Sequence, residues 1–212
     1  MSRASYNNER GVRNQFTASS PIISPYIYIQ PQQQDASDYL RLLLMIIDED
    51  EQKHIKSACA TSKTRTTVQD VFTFETVEII KCGKCDDEHI RAFEPEIILT
   101  VEIPESSNGL KSIDEYLKIR FIESSLSGYK CNSCTTSGTS RSKLCLMTTS
   151  QILLIHLCRF KYDREKCEST KITTAIEFND ILDINPVLNN QPVEYHYSLY
   201  AAVVHDGETL EY

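Results

Sequence analysis

Tryptophan is absent from this chain of 212 residues, and there are only three methionines and six glycines. With so few glycines there is no Gly-rich turn to cradle a phosphate, and a nucleotide-dependent enzyme has no support. No run approaches the roughly 18 consecutive apolar residues that a membrane-spanning helix needs. Residues 1–30 lack the basic start and following apolar run of a secretory signal. Positive charge is also short, since 22 Lys and Arg face 30 Asp and Glu for a net charge of −8. Binding to nucleic acid needs a basic surface, so neither a nucleic-acid nor a membrane partner is expected, whereas a basic protein or peptide partner is allowed. What remains is a composition of 41% hydrophobic and 25% charged residues. It suits one globular domain, or most of a larger one, and excludes wholesale disorder.

Cysteine is plentiful. The eight are Cys59, Cys82, Cys85, Cys131, Cys134, Cys145, Cys158 and Cys167. In a chain of this length without a secretory signal they point to a reducing, intracellular compartment, cytoplasm or nucleus. Metal ligands and buried thiols are then favoured over disulfides.

Along the chain, residues 1–30 read as irregular, with Pro21 and Pro25 and little periodicity. Asp35 is placed to cap a helix and Asp38 to favour its positive end. Residues 39–47 are almost wholly apolar, which predicts a helix buried on most sides. The acidic run 48–51 reads as its end and as a solvated face, and residues 54–70 as a polar linker. Strand signals begin at Val71, with a slip of phase near Glu75-Thr76 that a bulge would explain. Ile97, Leu99, Val101 and Ile103 alternate as in a strand. Ser112 and Glu115 form a capping box ahead of Ile113, Tyr116, Leu117 and Phe121 at helical spacing. Later strands are predicted over 144–147, 151–160, 171–178 and 195–205. The stretch Ile152-Leu153-Leu154-Ile155, apolar on both faces, predicts a central strand. Helices early and strands late indicate an α+β fold.

Cys82-Gly83-Lys84-Cys85 and Cys131-Asn132-Ser133-Cys134 are two C-x-x-C pairs with 45 residues between them. Two residues between thiols let a tight turn aim both sulfurs at one point. Two such turns supply the four soft ligands of a closed tetrahedral zinc site. A redox C-x-x-C predicts one pair on a helix start, not two. A nucleic-acid zinc ribbon has a shorter gap, about 15–20 residues. The pattern therefore predicts one structural zinc ion held by Cys82, Cys85, Cys131 and Cys134.

The order of these pieces resembles one family. The segment Gln33-Gln34-Asp35-Ala36-Ser37-Asp38-Tyr39-Leu40 resembles the QQDA box of the ubiquitin-specific proteases. The paired C-x-x-C motifs resemble that family's zinc-ribbon fingers. Leu154 to Phe160 resembles its L-x-I-H-L-K-R-F strand, with Cys158 at the usual lysine position. Tyr197 to Gly207 resembles the Y-x-L-x-A-V-V-x-H-x-G strand.

The resemblance implies an incomplete papain-like cysteine peptidase with thumb, fingers and palm. A thumb helix region would occupy 31–53, a polar linker 54–70, fingers 71–150 and palm strands 151–212. It implies ubiquitin or ubiquitinated proteins as partners and protein deubiquitination as the parent activity. It also implies contacts to ubiquitin's doubly cationic C-terminal tail from Gln34, Asp35, Asp38 and His205.

The family's nucleophile stands well upstream of the QQDA box, where this sequence has no cysteine. Its catalytic histidine stands in a G-H-Y motif beyond the H-x-G. No catalytic residue is therefore assigned, and this chain is expected to be inactive alone. The alternative is a non-catalytic ubiquitin-binding protein derived from a deubiquitinase. Either way, partner elements of the palm and thumb are missing, which predicts an open strand edge and an exposed apolar helix surface. His156 is expected to be a hydrogen-bonded core residue, and Cys145, Cys158 and Cys167 structural thiols.

Overall fold

A computed structural model describes residues 35–57, 64–104, 112–163, 167–189 and 194–204. Gln34, Cys59 and His205 lie outside the described residues.

Helix α1 spans Ala36–Ser57. Asp35 caps it: its Oδ1 accepts from the Ser37 N–H at 2.6 Å and the Asp38 N–H at 3.3 Å, while its carbonyl accepts from the Tyr39 N–H at 3.0 Å. These bonds satisfy donors that the first helical turn leaves without partners. Burial on most sides does not hold. Of the described α1 residues only Leu44 is buried, and Met45 and Ile47 are 47% and 44% exposed.

The acidic run does not end the helix either. It stays helical because two of its carboxylates have partners in the next element. Helix α2, Thr67–Phe72, replaces the expected start of a strand. Its signal is a second capping box, in which Thr66 Oγ1 accepts from the Gln69 N–H and Gln69 Oε1 accepts from the Thr66 N–H. The Thr66 hydroxyl donates to Asp48, and the Thr67 N–H donates to Glu51 Oε2 at 2.7 Å. Asp48 and Glu51 thus tie α2 to α1 rather than forming a solvated face.

Strands β1 (Glu75–Cys82), β2 (Glu88–Ala92), β4 (Ser124–Lys130) and β5 (Ser137–Thr148) form a four-stranded antiparallel sheet in the order β2-β1-β5-β4. The register slips between Glu75 and Thr76, where the change of phase predicts a bulge. β5 runs well beyond the expected 144–147. Its polar first half carries little apolar signal but pairs on both sides, with Arg141 opposite Lys81 and Ser140 opposite Cys82 on β1, and Ser137 to Ser142 beside β4.

The main core lies beyond this sheet. Strand β3 (Ile98–Glu102) pairs in parallel with β6 (Leu154–Cys158), and helix α3 (Ile113–Arg120) packs on β3. The capping box of α3 forms as read: Ser112 Oγ accepts from the Glu115 N–H at 3.3 Å, and Glu115 Oε2 accepts from the Ser112 N–H at 3.0 Å. Tyr116, Leu117 and Phe121 then bury the same face against Leu99, Val101 and Ile103. Leu146, Ile184 and Val187 close the cluster.

Strand β6 is not central. Among the described residues it pairs with β3 alone, and none of its residues is fully buried. Ile155 and Leu157 pack on the core, while the alternate positions Leu154, His156 and Cys158 take the other face. Strands β7 (Phe160–Asp163) and β8 (Glu168–Lys171) form a hairpin, as do β9 (Ile181–Asp183) and β10 (His196–Ser198). Asn185 clamps the second pair, its Oδ1 accepting from the Tyr195 N–H at 2.8 Å and its Nδ2 donating to the Tyr195 carbonyl at 3.3 Å. The strand predicted over 195–205 is shorter. Beyond Ser198 the described residues are not strand, and Tyr200, Val203 and Val204 are 100%, 84% and 81% exposed.

Candidate metal centre and acidic helix start

The four-stranded sheet brings the two C-x-x-C turns together. β1 ends in Cys82, and Cys85 follows in the connection to β2; Cys131 and Cys134 stand in the connection from β4 to β5. Because β1 and β5 are adjacent and antiparallel, both turns fall at the same end of the sheet. The four Sγ atoms lie within 4.8 Å of one another. Cys82 Sγ is 3.8 Å from Cys134 Sγ, and Cys85 Sγ is 3.6 Å from Cys131 Sγ. A tetrahedron with zinc–sulfur bonds of about 2.3 Å has sulfur–sulfur edges of about 3.8 Å. A disulfide needs about 2.05 Å. Both the soft donor set and the spacing suit one zinc ion, and the cysteines the sequence singled out are those the fold assembles.

The turns repeat each other in detail. The Cys82 N–H donates to the Asp87 carbonyl at 2.9 Å, and the Cys131 N–H to the Thr136 carbonyl at 3.1 Å, five residues on in each case. The residue after each second cysteine is left-handed, Asp86 at φ 56° and Thr135 at φ 57°. Aspartate tolerates that conformation; a β-branched threonine is strained in it. Gly83 is required by contact rather than by φ. A Cβ there would sit 2.2 Å from the Thr139 carbonyl oxygen on β5. Ser133 Oγ donates to Asp87 Oδ2 at 2.7 Å and bridges the turns. Spacing along the sequence carries no signal for that bridge.

The thiols perturb one another. N–H groups of Cys85 and Lys84 point at the Cys82 sulfur, the latter at 3.4 Å, and lower its pKa. The Thr136 hydroxyl and N–H hold the Cys134 thiol down to about 6. A bond from the Asp87 N–H favours the Cys85 thiolate, but partial loss of solvation at the sulfur and the three neighbouring sulfurs outweigh it and push that thiol up to about 12. Four thiolates cannot crowd together without a cation among them.

The second region is the start of α1. Asp35 Oδ1 also accepts from the Ser37 hydroxyl at 2.5 Å, so its known bonds fall on one oxygen. Burial raises its pKa, but the Ser37 and Asp38 bonds and the nearby His156 outweigh that and keep the carboxylate ionised below its ordinary range. Asp38 is exposed on the same turn. His156 is half-buried and its side chain makes no hydrogen bond among the described residues, contrary to its expected role in the core. Cys158 is pushed up by burial, by Glu102 opposite it on β3 and by Asp35, against Arg120. Cys145 is buried and pushed up by that burial, as a structural thiol should be. Cys167 is instead exposed, at φ 53° just before β8.

A mixed α+β core carrying a four-cysteine, two-hairpin metal site is the class the geometry defines. The family profile described as "Ubiquitin carboxyl-terminal hydrolase" matches residues 6–212, and the chain belongs to that family. It is similar to ubiquitin carboxyl-terminal hydrolase 48 of Danio rerio, 27% identical over 182 residues, covering 83% of this chain and 16% of the relative. It is also similar to the probable ubiquitin carboxyl-terminal hydrolase FAF of Drosophila melanogaster, 26% identical over 195 residues, covering 84% of this chain and 7% of the relative. The chain therefore spans a small part of these relatives' length. The fold is shared with a solved chain in the SAGA Ubp8/Sgf11/Sus1/Sgf73 DUB module bound to ubiquitin aldehyde, at a TM-score of 0.71 and 20% identity, covering 85% of this chain and 40% of that one.

Proposed function

We propose that this chain is the ubiquitin-engaging part of a ubiquitin-specific protease, with protein deubiquitination as the activity of the parent enzyme. The observation that carries the reading is the family match over residues 6–212 joined to a metal-binding hairpin pair. In this reading residues 31–53 belong to the thumb, 71–150 to the fingers and 151–212 to the palm. The setting is intracellular, cytoplasm or nucleus.

Asp35 is the proposed contact for a tail arginine. Its Oδ1 is occupied by the cap, its Oδ2 accepts no hydrogen bond among the described residues, and the group stays ionised. A guanidinium–carboxylate pair is a charge-assisted bond with directional preference. Asp38 adds a second negative charge on the same turn, and Gln34 and His205 complete the proposed contact set.

The proposed role of the chain itself is binding rather than bond cleavage. Cys145 and Cys158 are both held as thiols by burial, and a thiol is a poor nucleophile. Titration of the pure chain with ubiquitin, followed by chemical shifts or calorimetry, should show saturable binding that weakens about 10-fold in Asp35→Ala, roughly 1.4 kcal/mol. A flat titration at high ubiquitin concentration contradicts the proposal. So does turnover of a ubiquitin–fluorophore substrate that is lost on mutating Cys59, Cys145 or Cys158.

A further inference from the structure

The four thiols of the metal centre are not equivalent. Cys85 is exposed and Cys134 half-buried, whereas Cys82 and Cys131 are only 4% and 2% exposed. The two sulfur–sulfur contacts that have hydrogen-bond geometry join different hairpins, Cys85 with Cys131 at 3.6 Å and Cys134 with Cys82 at 3.8 Å. Each crossed pair joins a thiol that solvent reaches to one that it does not; each C-x-x-C pair does so too, and it is the contact geometry that singles out the crossed pairing. An accessible thiol backed by a sheltered one is the arrangement in which oxidation proceeds to a disulfide instead of to higher acids.

From this geometry we infer that the metal-free cluster is an oxidation site for peroxides, closing into two crossed disulfides, Cys85–Cys131 and Cys82–Cys134, and not into disulfides within either C-x-x-C turn. In each pair one sulfur, as its thiolate, attacks hydrogen peroxide. An S–O bond forms, the O–O bond breaks, and hydroxide leaves behind a sulfenic acid. The other thiol of the pair then attacks that sulfur. An S–S bond forms, the S–O bond breaks, and the departing oxygen takes up protons and leaves as water. Each pair of thiols loses two electrons and reduces one peroxide to two waters.

Closure requires the sulfurs to approach to about 2.05 Å. The pairing of β1 with β5, with Cys82 opposite Ser140, already holds the hairpins side by side for it. The product has no thiolate left to hold a metal, yet the two hairpin tips stay joined covalently. Oxidation would thus exchange a metal clamp for a sulfur clamp at the same place, and a reductant would reverse it.

The test uses the full chain, stripped with a chelator, treated with hydrogen peroxide, alkylated and digested with trypsin without reduction. Cleavage after Lys81, Lys84, Arg91, Lys130 and Arg141 gives three cysteine peptides, 82–84, 85–91 and 131–141. The inference expects both 82–84 and 85–91 attached to 131–141, with fragmentation placing the bonds at Cys134 and Cys131 respectively, and release of all three by reductant. A direct link between 82–84 and 85–91, with an internal bridge in 131–141, overturns it. Recovery of the four cysteines alkylated or as sulfinic and sulfonic acids overturns it equally. Zinc content measured on the untreated sample separates failure of this inference from failure of the metal site itself.

Discussion

Gly83→Ala places one methyl group where the structure allows none. The added Cβ would lie 2.2 Å from the Thr139 carbonyl oxygen, and ordinary contact begins at 3.4 Å, so the two backbones must part by about 1.2 Å. The obstacle is the backbone of β5 itself, and no side chain can swing aside. Thr139 adjoins Ser140, which is opposite Cys82, so the displacement reaches the sulfur cluster directly. Sulfur contacts of 3.6 and 3.8 Å already match a zinc tetrahedron, and a metal site tolerates only about 0.2 Å of error in its bonds. Overpacking of this kind costs about 1–3 kcal/mol. We expect zinc affinity, measured by competition with a chromogenic chelator, to fall about 10- to 100-fold, roughly 1.4–2.7 kcal/mol. The melting temperature should drop by roughly 2–12 °C, at about 2–4 °C per kcal/mol for a chain of this size. Gly138→Ala is the internal control. It lies at the same end of the sheet, but its added Cβ meets nothing within 4 Å, so both readouts should hold. Equal behaviour of the two variants would refute the close-approach argument.

Other expectations follow from the same geometry. Thr135→Gly should relieve left-handed strain and raise the melting temperature by roughly 2–4 °C, for a net gain of about 1 kcal/mol, whereas Asp86→Gly should change it little. Leu99→Ala, at 1% exposure in the main core, should cost about 2–5 kcal/mol in a denaturant titration. Asp35 has a folded pKa below its ordinary 3.8, so its cap contributes stability that is fully present above that pH and is lost as pH falls through the folded value. The stability difference between wild type and Asp35→Ala should accordingly be constant near neutral pH and shrink below about pH 3.8; a difference unchanged down to pH 2 would contradict it.

The metal site was legible in the sequence because two-residue spacing between cysteines carries its geometry with it. A turn that short has few ways to point its sulfurs. The second capping box was equally local and reads just as well once the α3 box is recognised, but Thr66 and Gln69 stand before Val71 and Phe72, whose alternation with Phe74 mimics a strand. What depended on long-range partners was not legible. The acidic run of α1 reads as solvated until Thr66 and Thr67 supply its hydrogen bonds, and β6 reads as central because its apolar run does not reveal that the face bearing His156 and Cys158 turns away from the core. The crossed sulfur contacts belong to the same class. They follow from the β1–β5 register, which neither C-x-x-C pair encodes alone.

Native mass spectrometry of the full chain, purified with zinc and exchanged into a volatile buffer, puts the most direct question to this account. One zinc ion per chain is expected, lost in Cys82→Ser and Cys131→Ser, with Cys82, Cys85, Cys131 and Cys134 protected from alkylation only while the metal is bound. A chain that carries no zinc and whose four thiols alkylate freely in the native state would contradict it.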